Sequence, residues 1–380
     1  MAKKKKTERF FDYSLLFIVL FLLCFGLVMI YSVSSYEASI RYGDALYYLK
    51  SQLFATLIGV VLMFVVATIP YHFWQKFAVL AFVLSHVLVL LVLSPLGLER
   101  NNARRWLDIF GVSLQPAEVA KLGMIIFLAS LICHIGPRKI RTTKGFLLVL
   151  LSSTPICILI WLITRDLSSA IIIFAITVLM LFVASPDYKR FILLLLIGAA
   201  TLAAVFFAVV HAADSAIFGF RGERILAWLD PEAHAMDRGF QTLQSLYAIG
   251  SGGIFGKGLG QSMQKLGFLP EAQNDMIFSI ICEELGLFGG IAIILMYLLL
   301  VWRMMVIANN ANDLFGGLIV VGVMGHIATQ VIINIGVVTN SIPNTGITLP
   351  FISYGGSSVL FMLIEIGLVL SVARGIRLKD

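Results

Sequence analysis

The sequence predicts an all-α, polytopic integral membrane protein with ten transmembrane helices and one long extracytoplasmic loop. Hydrophobic residues make up 59% of the 380 residues and charged residues 13%, and the mean hydropathy is +0.97. Soluble proteins carry about 25% charged residues, so this composition excludes a soluble globular protein. Long apolar runs recur along the chain, and one long polar stretch, residues 213–275, separates the seventh run from the eighth.

Each of the ten apolar runs has about the 20 residues that a helix needs to cross ~30 Å of hydrocarbon. The runs cover roughly residues 13–33, 51–69, 76–95, 115–135, 145–163, 167–185, 190–212, 276–306, 314–334 and 352–374. They predict a single membrane domain over 1–380, rather than the two or three domains typical of a soluble chain of this length. Because ten is an even number, both termini are expected on the same side of the membrane.

The distribution of positive charge predicts the orientation. The net charge is +7, and the short loops on the side of the termini hold 16 Lys and Arg residues against 6 on the other side. This is the positive-inside pattern and not that of a nucleic-acid-binding protein. We therefore expect a multi-pass membrane protein with both termini cytoplasmic. The basic segment 1–12, with its Lys3–Lys6 run, is expected to contact anionic membrane lipid.

Several patterns argue against other classes of site. The four cysteines form no C-x-x-C pair, so they indicate neither a disulfide framework nor a zinc site. The histidines show no metal-ligand spacing, and His86 and His326 are interpreted as buried packing residues. The run Gly250–Gly260 lacks the spacing of a phosphate-binding Walker loop, because Ser251 and Gly258 stand at key positions. It instead predicts a tight re-entrant turn, and no organic cofactor is indicated.

The end of the long loop carries the strongest candidate for chemistry. Asp275 stands where the eighth helix begins. One interpretation is a helix N-cap, and the other is a carboxylate at the membrane–water boundary that acts as a general base. Glu283 and Glu284 follow within the apolar run, where adjacent acids are costly, so at least one should face a polar cavity or a cation.

Two further groups of polar residues are candidates. Glu118 and Lys121 lie three residues apart on one helix face and can form an intramembrane pair. Such a pair is either functional or a structural bridge to a neighbouring helix. Arg104 and Arg105 lie in an outer loop, at a height where a phosphate can meet them. The uncharged segment 340–358 joins the last two helices and is expected to pack beside the long loop, where both shape one pocket.

Four motifs follow one another along nearly the whole chain: LQPAEVAKL (114–122), the segment 229–260, LPEAQNDMIF (269–278) with EELG (283–286), and LPFISYGGSS (349–358). They resemble the SEDS family, the bacterial shape, elongation, division and sporulation proteins FtsW, RodA and SpoVE. The resemblance implies a ten-helix membrane peptidoglycan glycosyltransferase that polymerises lipid II. It also implies a class B penicillin-binding protein as partner, together with other membrane proteins of the divisome or elongasome.

The family's essential aspartate lies in a Pro-Glu-x-x-x-Asp context, which the resemblance places on Asp275. The chain departs from the family at Asn274-Asp275-Met276, where Thr-Asp-Phe is usual, and at 164–166, where Thr-Arg-Asp replaces Gln-Pro-Asp. The motif Val-Met-Ile-Tyr-Ser at 28–32 is more similar to the division and sporulation branch than to the elongation branch.

Glycan polymerisation joins the 4-hydroxyl of an acceptor sugar to the anomeric carbon of a donor that carries a lipid pyrophosphate. The hypothesis is that Asp275 is the base of a single, inverting displacement that forms a β-1,4 bond. Its alternative role is to hold a divalent cation, Mg²⁺ or Mn²⁺, against the pyrophosphate. Candidate substrate-binding residues are Arg104, Arg105, Arg221, Arg224, Lys257, Lys265, Glu271, Ser353 and Ser357.

Two other classes of function remain open. A lipid II flippase would use intramembrane charges such as Glu118 and Lys121 to pass a polar headgroup, and a scaffold would only recruit a synthase. The concentration of acids and bases on the outer face favours the enzyme over a continuous transmembrane path.

Overall fold

The computed structural model describes residues 11–100, 103–109, 112–185, 187–211, 219–237 and 239–376. The basic run Lys3–Lys6 and the last four residues lie outside these ranges. The described chain is a bundle of helices with one small sheet. The helices are α1 (Tyr13–Tyr42), α2 (Tyr47–Thr68), α3 (His72–Gln75), α4 (Ala78–Leu91), α5 (Pro116–Ile135), α6 (Pro137–Ile140), α7 (Thr143–Ser152), α8 (Thr154–Leu159), α9 (Leu167–Ala184), α10 (Tyr188–His211), α11 (Gly219–Leu229), α12 (Gly239–Gly252), α13 (Ile277–Asn309), α14 (Leu314–Val338) and α15 (Gly356–Gly375).

The number of spans differs from the prediction at one position. Within the described ranges, nine helical segments are long and apolar enough to cross a membrane. The predicted third span, 76–95, contains only the 14-residue α4, so the count of ten is not confirmed. The predicted span 145–163 is one segment made of α7, α8 and a π-helical turn at Ile160–Thr164. The long loop predicted over 213–275 contains α11 and α12.

A small antiparallel sheet between α4 and α5 was not predicted. Its strands are β1 (Gly97–Arg100), β2 (Ala103–Ile109) and β3 (Val112–Leu114), in the order β1-β2-β3. The polar, arginine-containing segment between two apolar runs was interpreted as a loop. In the structure β2 carries Arg104 and Arg105.

Two polar clusters mark the ends of the bundle. Arg303 of α13 pairs with the α1 N-cap residue Asp12 at 2.9 Å. At the other end, Ser32 of α1 donates to Glu284 of α13 at 2.9 Å. Since Ser32 follows Asp12 by 20 residues along the unbroken helix α1, the clusters are about 30 Å apart, close to one hydrocarbon thickness. We call these the Asp12 end and the Asp275 end.

The glycine-rich turn after α12 inserts into a break in α13. Gly286 has φ 69° and ψ −167°, which interrupts the helix. The backbone N–H groups of Lys257 and Gly258 donate to the carbonyls of Glu283 and Glu284 at 3.0 and 2.9 Å. In return, the N–H groups after the break, at residues 287 and 288, donate to carbonyls of the turn. A Cβ at Gly256 would lie 2.2 Å from the Glu284 carbonyl oxygen, so the predicted close-packed turn is confirmed.

Candidate active site

Asp275 is buried at the turn that leads into α13, and only 7% of it is exposed. The N-cap residue of α13 is Met276, whose side chain makes no capping hydrogen bond, so the N-cap interpretation of Asp275 is wrong. The carboxylate oxygen Oδ1 is buried and has no hydrogen-bond partner among the residues that the structure describes. A buried acceptor without a donor is costly in a purely structural role, and this favours a functional one.

The environment of Asp275 raises its pKa from 3.8 to about 7. Burial is the main cause, because it disfavours the charged carboxylate, and the negative charge of Glu271 adds to it. The positive charge of Arg224 acts in the opposite direction. A carboxylate with a pKa near neutrality is a stronger base than an ordinary aspartate and is still partly ionised at pH 7.

The segment 340–358 packs directly against the Asp275 loop, as predicted. Asn334 of α14 joins the two, because its Nδ2 donates to the carbonyl oxygens of Asp275 and Ile347, each at 2.7 Å. The N–H of Tyr354 donates to the Gln273 carbonyl at 2.9 Å. A Cβ at Gly346 would lie 3.8 Å from Asp275 Oδ2, so the segment's backbone runs beside the carboxylate.

A cavity of about 780 Å³, lined by both polar and apolar side chains, lies between α11, α12 and the segment 340–358. This volume is within the range of small-molecule sites, about 300–1,000 Å³. Its walls are joined by hydrogen bonds from Arg224 Nη1 to the Asn344 carbonyl at 3.3 Å and from Asn344 Nδ2 to Gln241 at 2.8 Å. Asp275 is not among the described lining residues. Arg224 connects the two features, because it lines the cavity and its charge acts on Asp275.

Lys257 and Lys265, two candidates for phosphate binding, already form ion pairs. Lys257 Nζ lies 2.7 Å from Glu283 Oε1, and Lys265 Nζ lies 2.8 Å from Glu284 Oε1. Both carboxylates are fully buried. The expectation that at least one acid faces a cation is confirmed for both. Ser262 also donates to Glu283, so these contacts fix the glycine-rich turn onto α13, and phosphate binding by the two lysines stays a prediction.

The outer arginines lie on and beside the small sheet. Arg104 is exposed and 3.4 Å from Glu99. Arg105 Nε donates to the Thr164 carbonyl at 3.1 Å. Ser168, four residues further, donates to the carbonyl of Thr345 at 3.3 Å, which places Arg105 at the Asp275 end. The side chain of Arg221 lies outside the described part of the chain.

The remaining polar candidates are engaged mainly in local structure. Ser357 Oγ donates to the Ser113 carbonyl and Ser353 Oγ accepts from the Leu349 N–H, both at 2.7 Å. Glu271 is exposed, has φ 54° and accepts a hydrogen bond from Asn274. Substrate contacts by these residues stay predictions.

The buried pair of Glu118 and Lys121 forms as predicted, with 2.8 Å between Nζ and Oε1. Lys121 also donates to Gln330 of α14 at 3.3 Å, so the pair bridges two helices. The predicted burial of His326 is confirmed, but its ring does more than pack, because it contacts Glu365 at 2.8 Å and Gln330 at 3.0 Å. A signal was present in the sequence: polar residues recur every fourth position of α14.

Comparisons with known proteins identify the family. The FtsW/RodA/SpoVE family model, described as "Cell cycle protein", matches residues 13–377. Stage V sporulation protein E of Bacillus subtilis is 41% identical over 371 residues, covering 97% of this chain and 98% of that protein. The probable peptidoglycan glycosyltransferase FtsW of Trichlorobacter lovleyi is 39% identical over 371 residues, covering 97% and 94%.

Solved structures share the fold. A chain from a peptidoglycan synthase complex, described for its coordination of polymerisation and crosslinking, superposes with a TM-score of 0.78 at 30% identity and covers 97% of this chain and 99% of that one. The rod shape determining protein RodA of Thermus thermophilus superposes with a TM-score of 0.70 at 27% identity, covering 97% and 98%. The predicted all-α, multi-pass membrane fold is confirmed. The chain belongs to the FtsW/RodA/SpoVE family of cell-cycle proteins.

Proposed function

We propose that the chain is a peptidoglycan glycosyltransferase that polymerises lipid II in the bacterial cell membrane. The observation that carries the proposal is the buried Asp275 carboxylate, which has one unpartnered oxygen and a pKa of about 7. The charge of Arg224, a residue of the cavity wall, acts on this carboxylate. The printed names of the FtsW relatives support the same reaction. The SpoVE and FtsW relatives also favour the division and sporulation branch.

Asp275 acts as the general base. It takes the proton of the acceptor's 4-hydroxyl as that oxygen attacks the anomeric carbon of the donor. The bond from this carbon to the lipid pyrophosphate breaks, the configuration inverts, and the new linkage is β-1,4. With a pKa of about 7, Asp275 accepts the proton more readily than a free aspartate with a pKa near ~3.9. Among the candidate cations that the structure describes, Arg224 is the best placed to stabilise the leaving pyrophosphate, because it lines the cavity and its charge acts on Asp275.

The alternative role of Asp275 is to bind Mg²⁺ or Mn²⁺. Among the described residues, no group of three or more His, Cys, Asp or Glu side chains forms a metal site. A cation at Asp275 would therefore have at most two such ligands from the described residues and would complete its shell with pyrophosphate oxygens and water, which suits Mg²⁺. When bound, it would supply positive charge to the leaving group, and the chain's part is to hold the Asp275 carboxylate in place.

We also propose a membrane orientation and protein partners for the enzyme. Both termini lie in the cytoplasm and the Asp275 end faces the outside, as the 16 to 6 excess of Lys and Arg in the inner short loops supports. A class B penicillin-binding protein is the partner, alongside other divisome or elongasome membrane proteins. A relative from a peptidoglycan synthase complex is consistent with such an assembly.

A lipid II flippase is the second candidate, and the buried Glu118–Lys121 pair inside the bundle is the observation that favours it. Incubation of the purified chain, with and without its partner, with lipid II in detergent separates the two. We expect glycan polymer to form without a bilayer. Transport of lipid II across vesicles by a chain that makes no polymer would contradict the enzyme, and neither activity would indicate a scaffold.

A further inference from the structure

Three buried polar side chains form a column on one face of α14. They are His326, Gln330 and Asn334, which follow one another at four-residue intervals, and none is more than 2% exposed. Along a helix they cover about 12 Å. The His326 end of the column contacts Glu365 of α15, and the Asn334 end contacts the carbonyl oxygen of Asp275.

The neighbours of Gln330 permit one orientation of its amide. The Lys121 ammonium group can only donate, so the Gln330 atom 3.3 Å from Nζ is the oxygen Oε1. The Thr348 carbonyl can only accept, so the atom 3.0 Å from it is the nitrogen Nε2. Since Oε1 is an acceptor, the His326 nitrogen Nε2, 3.0 Å away, must carry a hydrogen.

The contact between His326 and Glu365 then requires a shared proton. Nδ1 lies 2.8 Å from Oε2, a hydrogen-bond distance. The proton is either on the imidazole, which gives an imidazolium–carboxylate pair, or on the carboxyl group, which gives two neutral partners. The net charge of the pair is zero in both forms. Loss of the shared proton would leave a buried negative charge without compensation, because the charge of Lys121 is already paired with that of Glu118.

The column ends on the backbone that surrounds Asp275. Gln330 Nε2 donates a hydrogen bond to the Thr348 carbonyl. One turn further along α14, Asn334 Nδ2 donates to the carbonyls of Ile347 and Asp275. Gly346, the neighbour of Ile347, approaches Asp275 Oδ2. A change in the tilt of Gln330 is therefore transmitted to the segment that lies against the Asp275 carboxylate.

We infer that His326 and Glu365 form a neutral, proton-sharing pair that orients Gln330 and thereby positions the 346–348 backbone beside Asp275. Its consequence for catalysis rests on the proposed function. His326, Gln330 and Glu365 do not contact the reacting atoms and are positioning residues. The cluster therefore adds no step to the reaction.

Two substitutions of Glu365 separate positioning from bulk packing. Glu365→Gln keeps every hydrogen bond, because its amide N–H donates to Nδ1 while the imidazole keeps the hydrogen on Nε2. We expect a kcat within about twofold of wild type. Glu365→Leu leaves Nδ1 without a partner and frees the ring. We expect kcat to fall about tenfold or more, with little change in KM, because a displaced reacting group costs rate and not binding.

The pH profile and a spectrum complete the test. In Glu365→Leu, a loosened 346–348 segment hydrates Asp275, so the acid limb of the kcat/KM profile moves to lower pH. Equal kcat values for Glu365→Gln and Glu365→Leu would overturn the inference. So would a Glu365→Leu variant that is slower but keeps the acid limb of the kcat/KM profile at the wild-type pH. Nitrogen NMR of the wild-type ring, assigned by difference from His326→Asn, must show hydrogen on Nε2. An Nδ1–H tautomer overturns the inference even if Glu365→Leu does not fold. Absence of polymer from wild type would overturn the proposed function instead.

Discussion

The raised pKa of Asp275 predicts an acid limb near neutral pH in the polymerisation rate. The structure holds no substrate, so the relevant quantity is kcat/KM, which reports groups of the free enzyme. A base with a pKa of about 7 is half ionised at pH 7 and about one-eleventh ionised at pH 6, so kcat/KM falls about fivefold over that interval. An ordinary aspartate, with a pKa near ~3.9, would stay ionised and the rate would be flat.

Substitutions of two neighbours of Asp275 are expected to shift its pKa in opposite directions. The charge of Glu271 raises the pKa of Asp275, so Glu271→Gln lowers it and moves the acid limb to lower pH. The charge of Arg224 lowers that pKa, so Arg224→Gln moves the limb to higher pH. The assay is polymer formation from lipid II by the purified chain with its partner, measured from about pH 5 to 9. A wild-type limb below pH 5, or shifts of both variants in one direction, would refute this reasoning.

Three further predictions concern stability and are checked by thermal unfolding in detergent. Asp275→Asn is expected to stabilise the fold above pH 7 by up to about 4 kcal/mol. The pKa of Asp275 is 3.8 in the unfolded chain and about 7 in the folded one, so its ionisation destabilises the fold as pH rises through this window, and asparagine removes that cost. An equal gain in stability at pH 4 and pH 8 would contradict this prediction. Lys265→Ala leaves the Glu284 carboxylate buried without its cation, so the free energy of unfolding is expected to fall by about 3–5 kcal/mol. The control is Lys50→Ala, which removes an exposed ion pair with Asp44 and should cost at most about 1 kcal/mol. Gly256→Ala places a Cβ against the Glu284 carbonyl at φ 79° and should lower the Tm, whereas Gly250→Ala meets no atom within 4 Å and should not; equal effects would contradict the packing of the turn.

Hydropathy predicted most of the fold because the need to bury backbone hydrogen bonds in hydrocarbon leaves only long helices as spans. The exceptions have physical causes. The predicted span 76–95 is apolar, but its helix ends at Leu91 in a succession of turns. The small sheet between α4 and α5 depends on pairing of short strands such as β2, in which polar and apolar residues do not alternate and therefore give little signal.

The candidate site was predicted in part. Asp275 was found from its position and from the family motif, but its burial depends on Asn334 and on the segment 340–358, which are distant in sequence. The partners of Lys257 and Lys265 could not be predicted, because the break at Gly286 brings Glu283 and Glu284 against residues 26 and 19 positions earlier in the chain. Periodicity alone marks the polar face of α14, and it takes the structure to show that this face reaches Asp275.

The most direct test of the account compares Asp275→Asn with Asp44→Asn in polymer synthesis from lipid II. Both changes replace a carboxylate with an amide of the same shape, but Asp44 is paired with Lys50 in an exposed turn, whereas Asp275 is buried. We predict that Asp275→Asn lowers the rate by about 10²–10⁴-fold, the range for loss of a general base, while Asp44→Asn polymerises at the wild-type rate. Polymer synthesis by Asp275→Asn at the wild-type rate would contradict the central claim.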